Sequence, residues 1–149
     1  MDPYGQQLAD AVDAVLAPWV ERCVALRADQ AGLSDTAQLR EAAARAGQEA
    51  TNDVLPRLRA FLDRDVDAQT TTPLAILRQA VAYPTQVLLD AGVPAIVRDR
   101  FREANFPDDV YGLTPAKLAD IDPSLADPGL AWGAAKAMAH LQRHRPRQH

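Results

Sequence analysis

The chain has 149 residues, a formal net charge of −4 and a single cysteine. With 48% hydrophobic and 24% charged residues, it has the balance of a folded soluble domain, not of a disordered or membrane chain. One cysteine excludes an internal disulfide framework and a cysteine-built zinc site, and the acidic balance excludes coating of nucleic acid by bulk charge, leaving only a local basic patch.

The length is expected to fold as a single helical domain over 1–149, divided into an acidic helical hairpin (1–70), a helical lobe (71–144) and a mobile tail (145–149). Alanine, the strongest helix former, makes up about a fifth of the residues. Isoleucine occurs only at 76, 96 and 121, and no stretch alternates apolar and polar side chains over a strand's length. The expected class is therefore all-α: a helical bundle with a long kinked N-terminal hairpin, a central helix and an irregular C-terminal lobe. Five pairs read as helix starts: Asp2-Pro3, Thr72-Pro73, Thr114-Pro115, Asp122-Pro123 and Asp127-Pro128. In each, a capping oxygen precedes a proline whose missing N–H costs nothing at the first helical position.

The first helix is expected over 3–30. Tyr4, Leu8, Val12, Val15, Trp19, Cys23 and Leu26 form one stripe, with Asp10, Asp13, Ala17 and Glu21 opposite. The stripe keeps phase across Pro18, so one kinked helix is expected. Gly32 is its stop. The second helix is expected over 35–67, capped by Asp35 with Gln38 at N3. Leu39, Ala43, Ala46, Gly47 and Ala50 make a small-residue seam for close helix approach, followed by bulkier Val54, Leu58, Phe61, Leu62 and Val66. Pro56 predicts a bend or break near 52–56.

A central helix over 73–91 is apolar over a wide arc, contains Pro84 and stops at Gly92. A shorter helix at 94–104 uses Ile96, Val97, Phe101 and Ala104 as contacts. The segment 105–128 is rich in proline yet too apolar for a linker, and reads as packed and irregular with one or two single-turn helices. The last helix is expected over 128–143. Its core face is read as Leu130, Ala134, Met138 and Leu141, with Trp132, Lys136 and Arg143 on the other side.

Motifs for chemistry are few. Asp63, Asp65 and Asp67 resemble the start of a calcium loop, but Ala68 and Leu74 stand where it needs glycine and an acid. His140 and His144 lack a third ligand, and all three histidines fall in the last ten residues. No nucleophile elbow, phosphate loop or dinucleotide fingerprint is present. Asp108-Asp109 reads as a solvated pair, and Cys23 as a core thiol. No metal or cofactor is expected, and an enzyme is disfavoured. Residues 1–70 hold seven Lys/Arg against twelve Asp/Glu, and residues 71–149 hold nine against eight. The charge is concentrated in the hairpin.

Several segments together carry a family resemblance: Tyr83-Pro84-Thr85, Ala91-Gly92-Val93-Pro94, the run Phe106-Pro107-Asp108-Asp109-Val110-Tyr111-Gly112-Leu113-Thr114-Pro115, and Asp127-Pro128-Gly129-Leu130-Ala131-Trp132-Gly133-Ala134-Ala135-Lys136. Over about 74–143 the chain resembles a small helical family of actinobacteria to which no activity is attached. The resemblance implies a source group and no mechanism.

The expected function is a non-enzymatic interaction or regulatory protein. It would dock a protein partner, or a second copy of itself, through Trp132, Lys136 and Arg143 with Arg98 and Arg102 nearby, because tryptophan beside arginine is enriched at interface hot spots. The competing reading of Trp132 is burial under 105–126. Two alternatives stay open. One is a small-molecule binder or enzyme with a pocket near Tyr83, Pro84 and Tyr111. The other is a DNA-binding regulator using the C-terminal lobe. No apolar run approaches the ~18 residues of a membrane span and the start has no signal-like apolar region, so a cytoplasmic, non-membrane protein is expected.

Overall fold

The computed structural model describes residues 1–64, 72–96 and 100–143, without the side chains of Arg102 and Arg143. The described residues are all-α. The first helix, α1, runs over Pro3–Gln30 as one helix through Pro18. Asp2 caps it, its Oδ1 accepting from the Gly5 N–H at 2.8 Å, with Pro3 at the first position. Both Gly32 and Gly92 adopt positive φ, 74° and 76°, the left-handed geometry that glycine provides without strain at a helix end.

The second helix, α2, runs over Ala37–Leu62. Its cap is Thr36 and not Asp35: Thr36 Oγ1 accepts from the Leu39 N–H at 3.1 Å, while Asp35 pairs with Arg40 at 2.9 Å. The expected break at Pro56 does not occur. Pro56 and Asn52 are both exposed, so the carbonyl that loses its donor faces solvent. Val54, Leu58, Phe61 and Leu62 remain in phase with Ala43, Ala46 and Ala50 on the buried side, and that packing keeps the helix continuous through Pro56.

These two helices form the expected antiparallel hairpin. Asp10 meets Arg59 at 3.3 Å, Ala17 meets Gly47, and Gly5 lies beside Leu62. A Cβ added at Gly47 would stand 3.0 Å from the Ala17 carbonyl oxygen, so the small-residue seam does allow close approach. It places Ala17 against α2, not on an outer polar face. The ends of the expected α1 stripe, Tyr4 and Leu26, are exposed, while Leu16, Val20 and Val24 join the core instead.

The expected central helix is three pieces: α3 over Pro73–Leu77, a 3-10 turn over Arg78–Val81, and α4 over Ala82–Asp90. Pro84 cannot donate to the Ala80 carbonyl, and the turn just before it tightens. The N–H of Ala82 reaches the Gln79 and Ala80 carbonyls instead. The piece α4 packs on both α1 and α2, as a wide apolar arc requires. A short helix, α5, spans Arg100–Asn105; residues 93–96 are not helical. Phe101, expected as a contact, is 75% exposed, and Val97 lies outside the described residues.

From 106 to 125 the chain is packed and irregular, with two 3-10 turns at Leu118–Asp120 and Pro123–Leu125. Thr114-Pro115 does not start a helix. The Thr114 N–H is taken by Asp109 Oδ2 at 2.7 Å. Asp122-Pro123 does start its turn, with Asp122 Oδ1 accepting from Ser124 N–H at 2.9 Å. The last helix, α6, spans Ala126–Arg143, which places Asp127-Pro128 inside its first turn and not at its cap.

One core cluster joins α1, α2, α3, α4 and α6, and includes Trp19, Phe61 and Trp132. A second gathers Val24, Ala43, Leu88, Val93 and Tyr111 under the irregular segment.

Candidate interaction surface

The helix α6 packs against α1 and against the 3-10 turns before it. Its orientation is the reverse of the sequence expectation. Trp132 points inward, 3% exposed, with its ring centroid 5.9 Å from that of Phe61. Pro128 is buried beside it, and Gly129, Ala135 and Ala139 are half-buried on the same side. At Gly129 a Cβ would fall 2.3 Å from Leu118 Cδ1, so the helix is drawn tightly onto the turn below. Lys136 Nζ stands 5.4 Å from the Trp132 ring centroid, close enough for a cation–π contact. Lys136 therefore closes over a buried ring.

The expected aromatic-basic docking face is thus not an exposed face. Trp132 belongs to the monomer core, in one cluster with Ile121 and Leu125 of the irregular segment. Arg98 lies outside the described residues, as do the side chains of Arg102 and Arg143.

The expected core face points outward. Leu130 is 73% exposed, Met138 60% and Leu141 68%. Gly133, Ala134 and Ala137 between them are exposed too. Single exposed leucines are ordinary. A continuous row over three turns, about 16 Å long at 1.5 Å per residue, is a patch of the kind that marks contact sites. Burying each of the three large side chains would contribute about 1.5–3 kcal/mol. Sequence reasoning found these residues but assigned them to the interior, since an apolar stripe alone does not say which side of a helix meets its neighbours.

The pocket expected around Tyr83, Pro84 and Tyr111 does not form. Pro84 is buried in α4. Tyr111 is fully buried in the second cluster, its hydroxyl donating to the Val93 carbonyl at 2.7 Å; burial raises its pKa. Tyr83 instead edges a groove between α2 and α4, its hydroxyl donating to Asp53 Oδ2 at 2.5 Å. Burial first, and the Asp53 carboxylate second, push the Tyr83 phenol up to about 12. The groove has two lobes of about 420 and 350 Å³ that share Ala42, Val87 and Asp90. Leu39 lies in one lobe, and Arg45, Glu49 and Tyr83 in the other.

Asp109, read from sequence as solvated, is 4% exposed. Its two oxygens accept from the Leu113 and Thr114 N–H groups at 2.7 Å each. It is a loop staple. Cys23 is a core thiol, and burial pushes it up to about 12, far from a reactive thiolate. Among the described residues no three His, Cys, Asp or Glu side chains gather as a metal set, and no helix is long and apolar enough to cross a membrane.

A comparison with family models, curated proteins and solved structures gives no match to this chain.

Proposed function

We propose that this chain is a non-enzymatic interaction protein that docks a protein partner through the outward face of α6. One observation carries the reading: Leu130, Met138 and Leu141 stand in one row, each more than half exposed, on a helix whose opposite side already holds its place in the core. The row offers no donors or acceptors for base edges or phosphates, which favours a protein partner over DNA. The helix pair that a DNA-reading motif would need is also reduced, since 113–121 holds only the 3-10 turn at Leu118–Asp120.

The test compares the wild type with the double variant Leu130→Asp/Met138→Glu as baits in a lysate of the source organism. Both side chains are exposed in the monomer, so the melting temperature is expected to stay within a few degrees. Partners retained by the wild type and lost by the variant are the expected result. Identical partners with both baits would refute the reading.

The α2–α4 groove supports a second reading, small-molecule binding. Its larger lobe, about 420 Å³, falls within the range of ligand sites. A ligand that binds only the folded chain raises its melting temperature. The groove reading expects such a rise from at least one metabolite class, lost in Val87→Glu; no rise with any class counts against it.

A further inference from the structure

Resting on the groove reading above, we propose that the ligand of the α2–α4 groove is a small organic amine, with its apolar body in the larger lobe and its ammonium group on the Asp90 carboxylate. The larger lobe holds about 420 Å³ and takes its apolar lining from Leu33, Leu39, Ala42, Val87 and Ala91. Leu39, Val87 and Ala91 are half-buried and pack on one side against the second core cluster. The core therefore fixes the floor of the lobe, and apolar surface on its open side stays uncovered.

Charge selects the ligand class. Among the described residues, Asp90 is the one charged side chain lining the larger lobe. The smaller lobe shares Asp90 and adds Arg45 and Glu49, whose charges offset each other, so the whole groove keeps the negative charge of Asp90. The Tyr83 phenol, pushed up to about 12, adds none at neutral pH. Asp90 makes no ion pair among the described residues. Its Oδ1 accepts from Gln86 Nε2 at 2.9 Å, and its Oδ2 has no partner among them.

The place of Asp90 on its helix adds to this. It is the last residue of α4, and the last turn of that helix carries no base. The C-terminal end of a helix bears partial negative charge, which favours a cation there and disfavours an acid. The carboxylate and the helix end act in the same direction, and no base in that turn offsets them. The N-terminal end of α2 borders the same lobe, but the Thr36 hydroxyl already caps it. A carboxylate or phosphate ligand would be repelled, and a neutral ligand of the same shape would keep only the apolar contact. A metal ion calls for several ligands, and among the described residues no three His, Cys, Asp or Glu side chains gather. The cation is therefore organic, held by one carboxylate and an apolar wall.

The test titrates the purified full chain with phenethylamine and follows the amide resonances of Leu39, Ala42, Val87 and Ala91. Phenethyl alcohol and hydrocinnamate serve as its neutral and anionic counterparts. The amine is expected to shift these resonances with a Kd of about 1 mM, as suits a fragment of this size. The alcohol is expected to bind about tenfold more weakly, the contribution of one charge-assisted hydrogen bond, and the acid more weakly still. Asp90→Asn keeps the acceptor for Gln86 and removes the charge. It is expected to bring the amine down to the level of the alcohol and to leave the alcohol unchanged. The melting temperature of this variant is expected to be equal or slightly higher, since the helix end loses an unfavourable acid.

An amine that binds no better than the alcohol, or one that Asp90→Asn leaves unaffected, would overturn the proposal. If the alcohol or the acid binds as well as the amine, the amine assignment falls and the groove reading stands. If none of the three moves these resonances, the amine assignment falls. The groove reading falls with it only if no metabolite class raises the melting temperature either.

Discussion

Three buried residues hold the chemistry of this fold, and each is structural. Asp109 anchors the turn after Tyr111 by accepting two backbone N–H groups. Replacing it with alanine strands both donors where water is scarce, and is expected to destabilise the chain by about 2–4 kcal/mol in urea unfolding. Asp109→Asn keeps one acceptor and is expected to recover part of that loss. Trp132 contributes shape more than polarity, since among the described residues its Nε1 has no hydrogen-bond partner. Trp132→Ala is expected to cost about 3–5 kcal/mol, and Trp132→Phe clearly less. Cys23 is neutral in the folded chain up to about 12, against an ordinary value of 9.0. It therefore favours the folded state below pH 9, and that contribution is lost as pH rises from 9 towards 12. At pH 8 a thiol reagent is expected to label the unfolded chain rapidly and the native chain hardly at all.

At the scale of single helices, two glycines show how packing sets the sign of one substitution. At Gly47 even a Cβ presses on the Ala17 backbone, so Gly47→Val is expected to force the hairpin apart and destabilise it by about 1–3 kcal/mol. At Gly133 the space is open, and Gly133→Ala is expected to stabilise the chain by about 0.5–1 kcal/mol, measured by urea unfolding. The sequence announced the first of these through its seam of small residues. It also announced the start of α1, where Asp2 and Pro3 act locally, and the stops at Gly32 and Gly92. It misplaced features decided at a distance. Pro56 is tolerated because Asn52 faces water, and Thr114 starts no helix because the Ala116 and Lys117 N–H groups that it would cap go to Asp120.

For the whole molecule, the arrangement follows from a hairpin that shares its apolar side with α4 and α6. The all-α class was legible from alanine content and spacing alone. The rotation of α6 was not. Its more hydrophobic stripe seemed the natural core face, but Phe61 of α2 meets Trp132, and the small side chains at Gly129, Ala135 and Ala139 lie on that same inward side. Those neighbours are dozens of residues away in sequence. The sequence reading therefore placed Leu130, Met138 and Leu141 in the interior and chose Trp132 as the docking anchor, whereas the three are exposed and Trp132 belongs to the core.

The central claim is that α6 buries Trp132 and turns Leu130, Met138 and Leu141 to the outside. Maleimide labelling of single cysteines at these three positions, in dilute chain, tests it directly. The labelling rates of L130C, M138C and L141C in the native chain are expected to approach those of the unfolded chain, with the buried Cys23 unreactive as the internal reference. Protection of the three cysteines to the level of Cys23, in a chain shown to be folded and monomeric, would contradict it.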